Sequence, residues 1–129
     1  MTDNDYMDMA LRYAMEAFAR GDWPVGSVIV RDGEALGSGQ NRQNSGGDVT
    51  THGELEAIRS AIGAHGAERI TGATLYTTME PCPMCAWALK LAGIRRLVLG
   101  TRHATLRRTD MGTYNIETFY LRTFYSRSS

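Results

Sequence analysis

Apolar residues in the first twenty positions recur at helical intervals. Met7, Leu11, Ala14 and Phe18 share one line, Arg12, Glu16 and Arg20 lie off it, and Gly21 follows, so the pattern predicts an amphipathic helix over 5–20. The period then changes. Residues 26–31 (Gly-Ser-Val-Ile-Val-Arg) are β-branched, Asp32-Gly33 is a two-residue turn signal, and residues 34–40 resume an extended pattern, which together predict a β-hairpin. Residues 41–51, rich in Asn, Gly and Ser, read as a loop, with Thr50 or Thr51 placed to cap a helix over 52–65. Residues 73–78 (Ala-Thr-Leu-Tyr-Thr-Thr) predict a third strand, and Pro81 introduces a helix over 82–91 that Gly93 stops. Residues 95–100 predict a fourth strand, 101–112 a loop and 114–125 a final helix. A hairpin followed by alternating strands and helices implies an α/β fold. Its mixed sheet is expected to have right-handed crossovers and helices on both faces.

A chain of 129 residues fits a single domain spanning 1–129, able to bury one core without disulfides. No segment approaches the run of about 18 apolar residues that spans a bilayer. The acidic start, Thr2-Asp3-Asn4-Asp5, lacks the basic and apolar character of a secretory leader, so a soluble, cytoplasmic protein with no membrane partner is expected. Formal net charge is zero, but residues 1–86 hold 6 Lys and Arg against 12 Asp and Glu, and residues 87–129 hold 8 against 2. The basic end suits a subunit contact or an anionic ligand, while overall neutrality argues against an extended nucleic-acid track.

Both cysteines of the chain fall in Cys82-Pro83-Met84-Cys85, at the start of a predicted helix. Alone, this spacing leaves a redox pair and a pair of zinc ligands equally open. His52-Gly53-Glu54 begins another helix that also follows the sheet. One imidazole and two thiolates make three ligands for one zinc ion per subunit and leave a fourth tetrahedral position for water, the arrangement of a catalytic site. Glu54, two residues beyond His52, is placed to move protons beside the metal without binding it.

His52-x-Glu54 and Pro81-Cys82-x-x-Cys85 match the signature of zinc deaminases. Together with Pro24-Val25-Gly26, Gly39-Gln40-Asn41-Arg42 and residues 73–80, they resemble the nucleobase and tRNA-adenosine deaminase branch of the cytidine deaminase superfamily, over about residues 5–103. The resemblance implies a three-layer α/β/α fold, sheet order 2-1-3-4-5 and a homodimer. It also implies substrate contacts from the Asn41 side chain, the Gly53 backbone N–H, the Glu80 carbonyl and Val25. Gly53 between ligand and shuttle resembles fungal-type cytosine deaminases, and residues 100–110 lack the Asp-x-Lys-x-Gly-Ala pattern of tRNA adenosine deaminases. His103, Phe119, Tyr120 and Phe124 are candidates to close over a flat ring, although the last three at helical spacing also suit a core or dimer contact. Trp23 could line the pocket mouth, and Trp87 is expected to pack against a neighbour.

The expected activity is hydrolytic deamination of a free nucleobase or related amino-heterocycle, a small-molecule partner. Cytosine is the first choice, with guanine, adenine or isocytosine next. An RNA-editing enzyme for tRNA, motivated by Arg95, Arg96, Arg107, Arg108, Arg122 and Arg127, is the less favoured alternative, and a thiol redox or structural-zinc protein is the non-enzymatic one.

Overall fold

Thr2 opens helix α1 (Asp3–Arg20) with a capping box. Its hydroxyl accepts the Asp5 N–H at 3.2 Å while the Asp5 carboxylate accepts the Thr2 N–H at 2.8 Å. Gly21, at φ 96°, ends the helix in a Schellman motif: Gly21 N–H donates to Phe18 and Asp22 N–H to Ala17. The computed structural model describes residues 1–101 and 116–121. The buried stripe of α1 is Tyr6, Met7, Ala10, Ala14 and Ala17, whereas Phe18, expected on the apolar line, is 69% exposed. Close packing explains the shift. A Cβ on Gly26 would lie 2.1 Å from the Ala10 carbonyl and 2.6 Å from the Ala14 nitrogen, so helix and strand backbones touch along alanines and leave no room for a phenyl ring.

Strands β1 (Gly26–Arg31) and β2 (Glu34–Gln40) form the anticipated hairpin, turned by Asp32 and Gly33, both at positive φ, 52° and 75°. β3 (Thr74–Thr77) pairs antiparallel with β1, and β4 (Arg96–Leu99) runs parallel to β3, giving the order β2-β1-β3-β4-β5 once β5 (Glu117–Tyr120) joins parallel to β4. Side chains alternate between faces. Ile29, Leu75 and Leu97 enter one core with Ala57 and Ala61 of α3 (Gly53–His65) and Leu89 of α5 (Pro83–Ala92). Val28, Val30, Tyr76 and Val98 enter the other with Tyr6, Met7 and Ala10 of α1. Helices therefore cover both faces, as the sequence pattern implied. Among the described residues no helix is long and apolar enough to cross a membrane.

Several expectations are corrected. Residues 117–120 are a strand, not part of a helix over 114–125: Glu117-Thr-Phe-Tyr continues the sheet, with Phe119 paired to Val98. Phe119 and Tyr120, each 39% exposed, sit on this edge strand, and the Arg96 guanidinium lies 4.7 Å from the Phe119 ring centre. Phe124 lies outside the described residues. The loop over 41–51 contains a short helix α2 (Gln43–Gly46), and another, α4 (Ala67–Ile70), precedes β3. Neither Thr50 nor Thr51 caps α3. The Thr50 hydroxyl bonds the Asp48 carboxylate at 2.8 Å, the Thr51 hydroxyl bonds the Asp48 carbonyl at 2.6 Å, and His52 holds the cap position. Likewise α5 begins at Pro83 with Cys82 as its cap residue, leaving Pro81 outside the helix.

Candidate active site

Strand directions determine where the chemistry gathers. β1 is antiparallel to both β2 and β3, so the carboxyl ends of β2 and β3 emerge beside the start of β1, where Gly26 pairs with Gln40 and Ser27 with Thr77. The helices that follow these two strands, α3 and α5, therefore begin at the same edge, and both contribute to the same core. Each begins with an unusual residue. His52 and Cys82 occupy cap positions where Ser, Thr, Asp or Asn is the stabilising choice, and neither makes a side-chain cap hydrogen bond. Local helix stability is given up at both ends to aim an imidazole and a sulfur at one point.

His52 Nδ1 lies 3.6 Å from Cys82 Sγ and 3.3 Å from Cys85 Sγ, and the three ligand atoms all lie within 4.8 Å of one another. A tetrahedral zinc with Zn–S about 2.3 Å and Zn–N about 2.05 Å would separate nitrogen and sulfur by about 3.6 Å, a spacing that Cys82 meets and Cys85 needs only a small outward shift to meet, so the residues fit the ion. Their protonation fits it as well. The Cys85 side chain, hydrogen-bonded to Cys82, and the His52 imidazole beside it pull the Cys82 thiol down to about 4 against the effect of burial. Cys85 moves the opposite way: the Cys82 sulfur, burial and the Glu54 charge hold its proton well above the usual thiol range. Two sulfurs crowded with a carboxylate cannot all carry charge unless a cation joins them, and a divalent metal supplies that charge.

Glu54, the second residue of α3, is 4% exposed, and burial lifts its carboxyl to about 7, with the charge on His52 pulling the other way. It is close enough to the cluster to act on Cys85 electrostatically. A carboxyl so placed can accept and return a proton near neutral pH.

Of the other expected site residues, Val25, Gly53, Asn41 and Glu80 lie on the segments that adjoin the two helix starts. Val25 is 8% exposed, and its carbonyl accepts the Asn41 N–H at 3.0 Å. A Cβ on Gly53 would sit 3.2 Å from that same carbonyl and 3.4 Å from Gln40 Cα, so a glycine here relieves backbone crowding. As first residue of α3, Gly53 presents an N–H with no intrahelical acceptor. Asn41 is 3% exposed and folds into a local turn, its Oδ1 accepting the Gln43 N–H at 3.0 Å and its Nδ2 donating to Gln43 Oε1 at 2.9 Å. Among the described residues no other partner meets the second amide hydrogen or the second lone pair. Glu80, 2% exposed, donates its N–H to the Thr101 carbonyl at 2.8 Å between β3 and the cysteine helix. His103 lies outside the described residues.

A network that sequence patterning does not reveal fixes this rim. Asp22, whose side chain is fully buried, accepts the N–H groups of Asn44 and Ser45 at 2.9 and 2.8 Å, the Ser45 hydroxyl at 2.7 Å and Arg20 Nε at 2.7 Å. Arg20 continues to Gln40 Oε1 and the Asn41 carbonyl, each at 2.8 Å. Burial raises the Asp22 carboxyl, yet the Ser45 hydrogen bonds and Arg20 outweigh it and bring the value to about 2. Of the arginines proposed to meet RNA, Arg96 is engaged by Asp3 at 2.6 and 3.0 Å, and Arg107, Arg108, Arg122 and Arg127 lie outside the described residues.

Residues 1–101 match the cytidine and deoxycytidylate deaminase zinc-binding region. The chain is 45% identical over 97 residues to a tRNA-specific adenosine deaminase of Agrobacterium fabrum (strain C58 / ATCC 33970), covering 75% of this chain and 64% of the relative. It is 39% identical over 98 residues to a tRNA-specific adenosine deaminase of Bacillus subtilis (strain 168), covering 76% and 61%. It thus spans less than two thirds of the length of both. A structure from work on A-to-I editing by tRNA:A34 deaminases at the wobble position of transfer RNA superposes with a TM-score of 0.82 at 35% identity, covering 92% of this chain and 98% of that one. These relatives overturn the expectation of a free nucleobase as substrate and small-molecule partner, with cytosine foremost, and with it the disfavouring of nucleic acid. Gly53, one of the features behind the cytosine preference, stands where a Cβ would crowd the Val25 carbonyl at 3.2 Å, so the fold itself favours a small residue there. From the matched region, the paired helix starts and the His-Cys-Cys cluster together, the chain belongs to the cytidine and deoxycytidylate deaminase zinc-binding family.

Proposed function

We propose that the protein hydrolytically deaminates adenosine to inosine in the anticodon loop of a tRNA. The observation that carries the chemistry is the convergence of His52, Cys82 and Cys85 within 4.8 Å with the buried Glu54 at the same helix start. Kinship with tRNA-specific adenosine deaminases supports the substrate.

His52, Cys82 and Cys85 would hold a zinc ion, which would supply the Lewis acidity that makes water a competent nucleophile near neutral pH. Glu54 takes a proton from the attacking water and delivers it to N1 of the adenine ring as the C6–O bond forms, then takes the remaining proton of the new C6 hydroxyl and gives it to the amino group as the C6–N bond breaks and ammonia leaves. The balance is adenosine plus water giving inosine plus ammonia. The Gly53 N–H, which has no intrahelical acceptor, and the amide of Asn41 orient the base. An adenine reaches such a recess only when unstacked, which a single-stranded loop permits at low cost.

The reading includes a homodimer. Ile62 and Leu91, 41% and 71% exposed, border a groove of about 500 Å³ between α3, α4 and α5 that Leu55, Ile58 and Ala88 also line, an apolar face suited to a second copy. The deciding experiment incubates zinc-loaded protein with a tRNA anticodon stem-loop carrying adenosine at the wobble position, and in parallel with free adenine, guanine and cytosine. Inosine in the RNA and no turnover of the free bases is the expected result. Turnover of a free base with the RNA unchanged refutes it.

A further inference from the structure

Trp23 is 60% exposed, an unusual state for the largest apolar side chain, and it stands on a segment that is otherwise tightly held. The residue before it, Asp22, is anchored by four hydrogen bonds to Arg20, Asn44 and Ser45. Behind it the Val25 N–H donates to the Trp23 carbonyl at 2.8 Å, and the Val25 carbonyl is fixed by Asn41. Gly26 is pinned in turn, its N–H on the Thr78 hydroxyl at 3.1 Å and its carbonyl on the Thr78 N–H at 3.1 Å. The backbone at Trp23 is therefore rigid on both sides while its ring faces outward.

Its position is at the active-site edge. Val25 lies against Gly53, between the ligand His52 and Glu54, and two residues of chain extend at most about 7 Å, which bounds the Cα separation of Trp23 from Val25. The segment 23–25 passes between the Asn41 turn on one side and the Thr78–Glu80 approach to the cysteines on the other. An exposed aromatic ring carried on a held backbone beside a recess that takes one unstacked base offers a surface to a neighbouring base of the same strand. Stacking there requires no ordering of the backbone and no base-specific hydrogen bond.

We propose that Trp23 is a substrate-binding residue that stacks on a nucleotide flanking the target adenosine of single-stranded RNA. The inference rests on the tRNA reading given above and adds to it a specific contact. Because the protein has two tryptophans, Trp87→Phe leaves Trp23 as the single indole reporter. In zinc-loaded protein carrying Trp87→Phe and Glu54→Gln, titration with the anticodon stem-loop should quench Trp23 fluorescence. An abasic substitution on one side of the target should abolish the quench. In otherwise native protein, Trp23→Ala should weaken stem-loop binding by about five- to hundredfold, Trp23→Phe should keep most of it, and the dependence of binding on salt should be unchanged. Binding and turnover of Trp23→Ala equal to wild type overturns the proposal, as does a lowered melting temperature with unaltered RNA binding, which makes Trp23 a packing residue. Failure of wild-type protein to deaminate the RNA at all counts instead against the tRNA reading, so the two failures are distinguishable.

Discussion

Replacing Gly39 by alanine tests how closely the sheet holds the metal helix. A Cβ at this position would lie 2.2 Å from the Gly53 carbonyl, 2.5 Å from the Ala57 nitrogen and 2.7 Å from Glu56 Cβ, two of them backbone atoms of α3. Gly37, two residues earlier on the same face of β2, makes the same close approach to Ala61, 2.6 Å from its nitrogen. Helix α3 thus rides on two glycines and cannot settle further in. To restore ordinary contact distance its first turn must move outward by roughly 1 Å, which takes His52 away from sulfurs now 3.3 and 3.6 Å distant. Overpacking costs about 1–3 kcal/mol, and backbone on the facing side places this case near 3, or roughly 10 °C in Tm for a chain of this size. Zinc affinity should fall at least about tenfold. Gly63→Ala is the control on the same helix, since a Cβ there meets nothing within 4 Å and helix propensity favours alanine by about 1 kcal/mol. Thermal melts and zinc titration of both variants decide the matter. A Gly39→Ala protein that melts within a degree or two of wild type with one zinc per chain refutes the reasoning.

Three further outcomes follow from the site and its supports. Glu54→Gln should keep its zinc while deamination falls by about 10²–10⁴-fold, read by inosine formation beside metal analysis, and an active variant would remove Glu54 from the proton path. The carboxyls of Asp22 and Asp3 both lie at about 2, the first through the Ser45 hydrogen bonds and Arg20 against burial, the second chiefly through its hydrogen bond to Arg96. A depressed carboxyl contributes stability that is full above its unfolded value of about 3.8 and is lost as pH falls through about 2. Melting curves of wild type and Asp22→Asn should accordingly converge between pH 4 and pH 2, and a gap that stays constant across that window contradicts the assignment. Leu91→Arg should convert the protein to a monomer by light scattering, whereas an unchanged dimer would locate the subunit contact elsewhere.

What the chain discloses without a structure depends on whether a signal is local. The hairpin was legible because Asp32-Gly33 carries its own turn geometry, and both helices of the metal site because their helix-forming residues are contiguous and Gly66 and Gly93 follow them, although the cap anticipated at Thr50 or Thr51 falls to His52. The ligand set was legible because two short motifs each place their residues within one helical turn. Residues 117–120 were not: Glu-Thr-Phe-Tyr becomes a strand because β4 offers an open edge, a fact about a partner and not about the segment. Phe18 was misplaced for a related reason, since backbone contact between α1 and Gly26 selects alanines. The Asp22 network joins residues twenty or more positions apart and leaves no periodic trace. Substrate class was misread because Gly53, the missing Asp-x-Lys-x-Gly-Ala pattern in residues 100–110 and the overall neutrality were taken as substrate signatures, whereas the Gly53 position is one where the Val25 carbonyl already favours a small residue.

X-ray absorption at the zinc edge of the purified protein tests the central claim most directly. One zinc per chain bound by two sulfurs at about 2.3 Å, with nitrogen or oxygen completing the shell at about 2.0–2.1 Å, is the result that His52, Cys82 and Cys85 predict. A metal-free protein in which Cys82 and Cys85 are joined as a disulfide would contradict it.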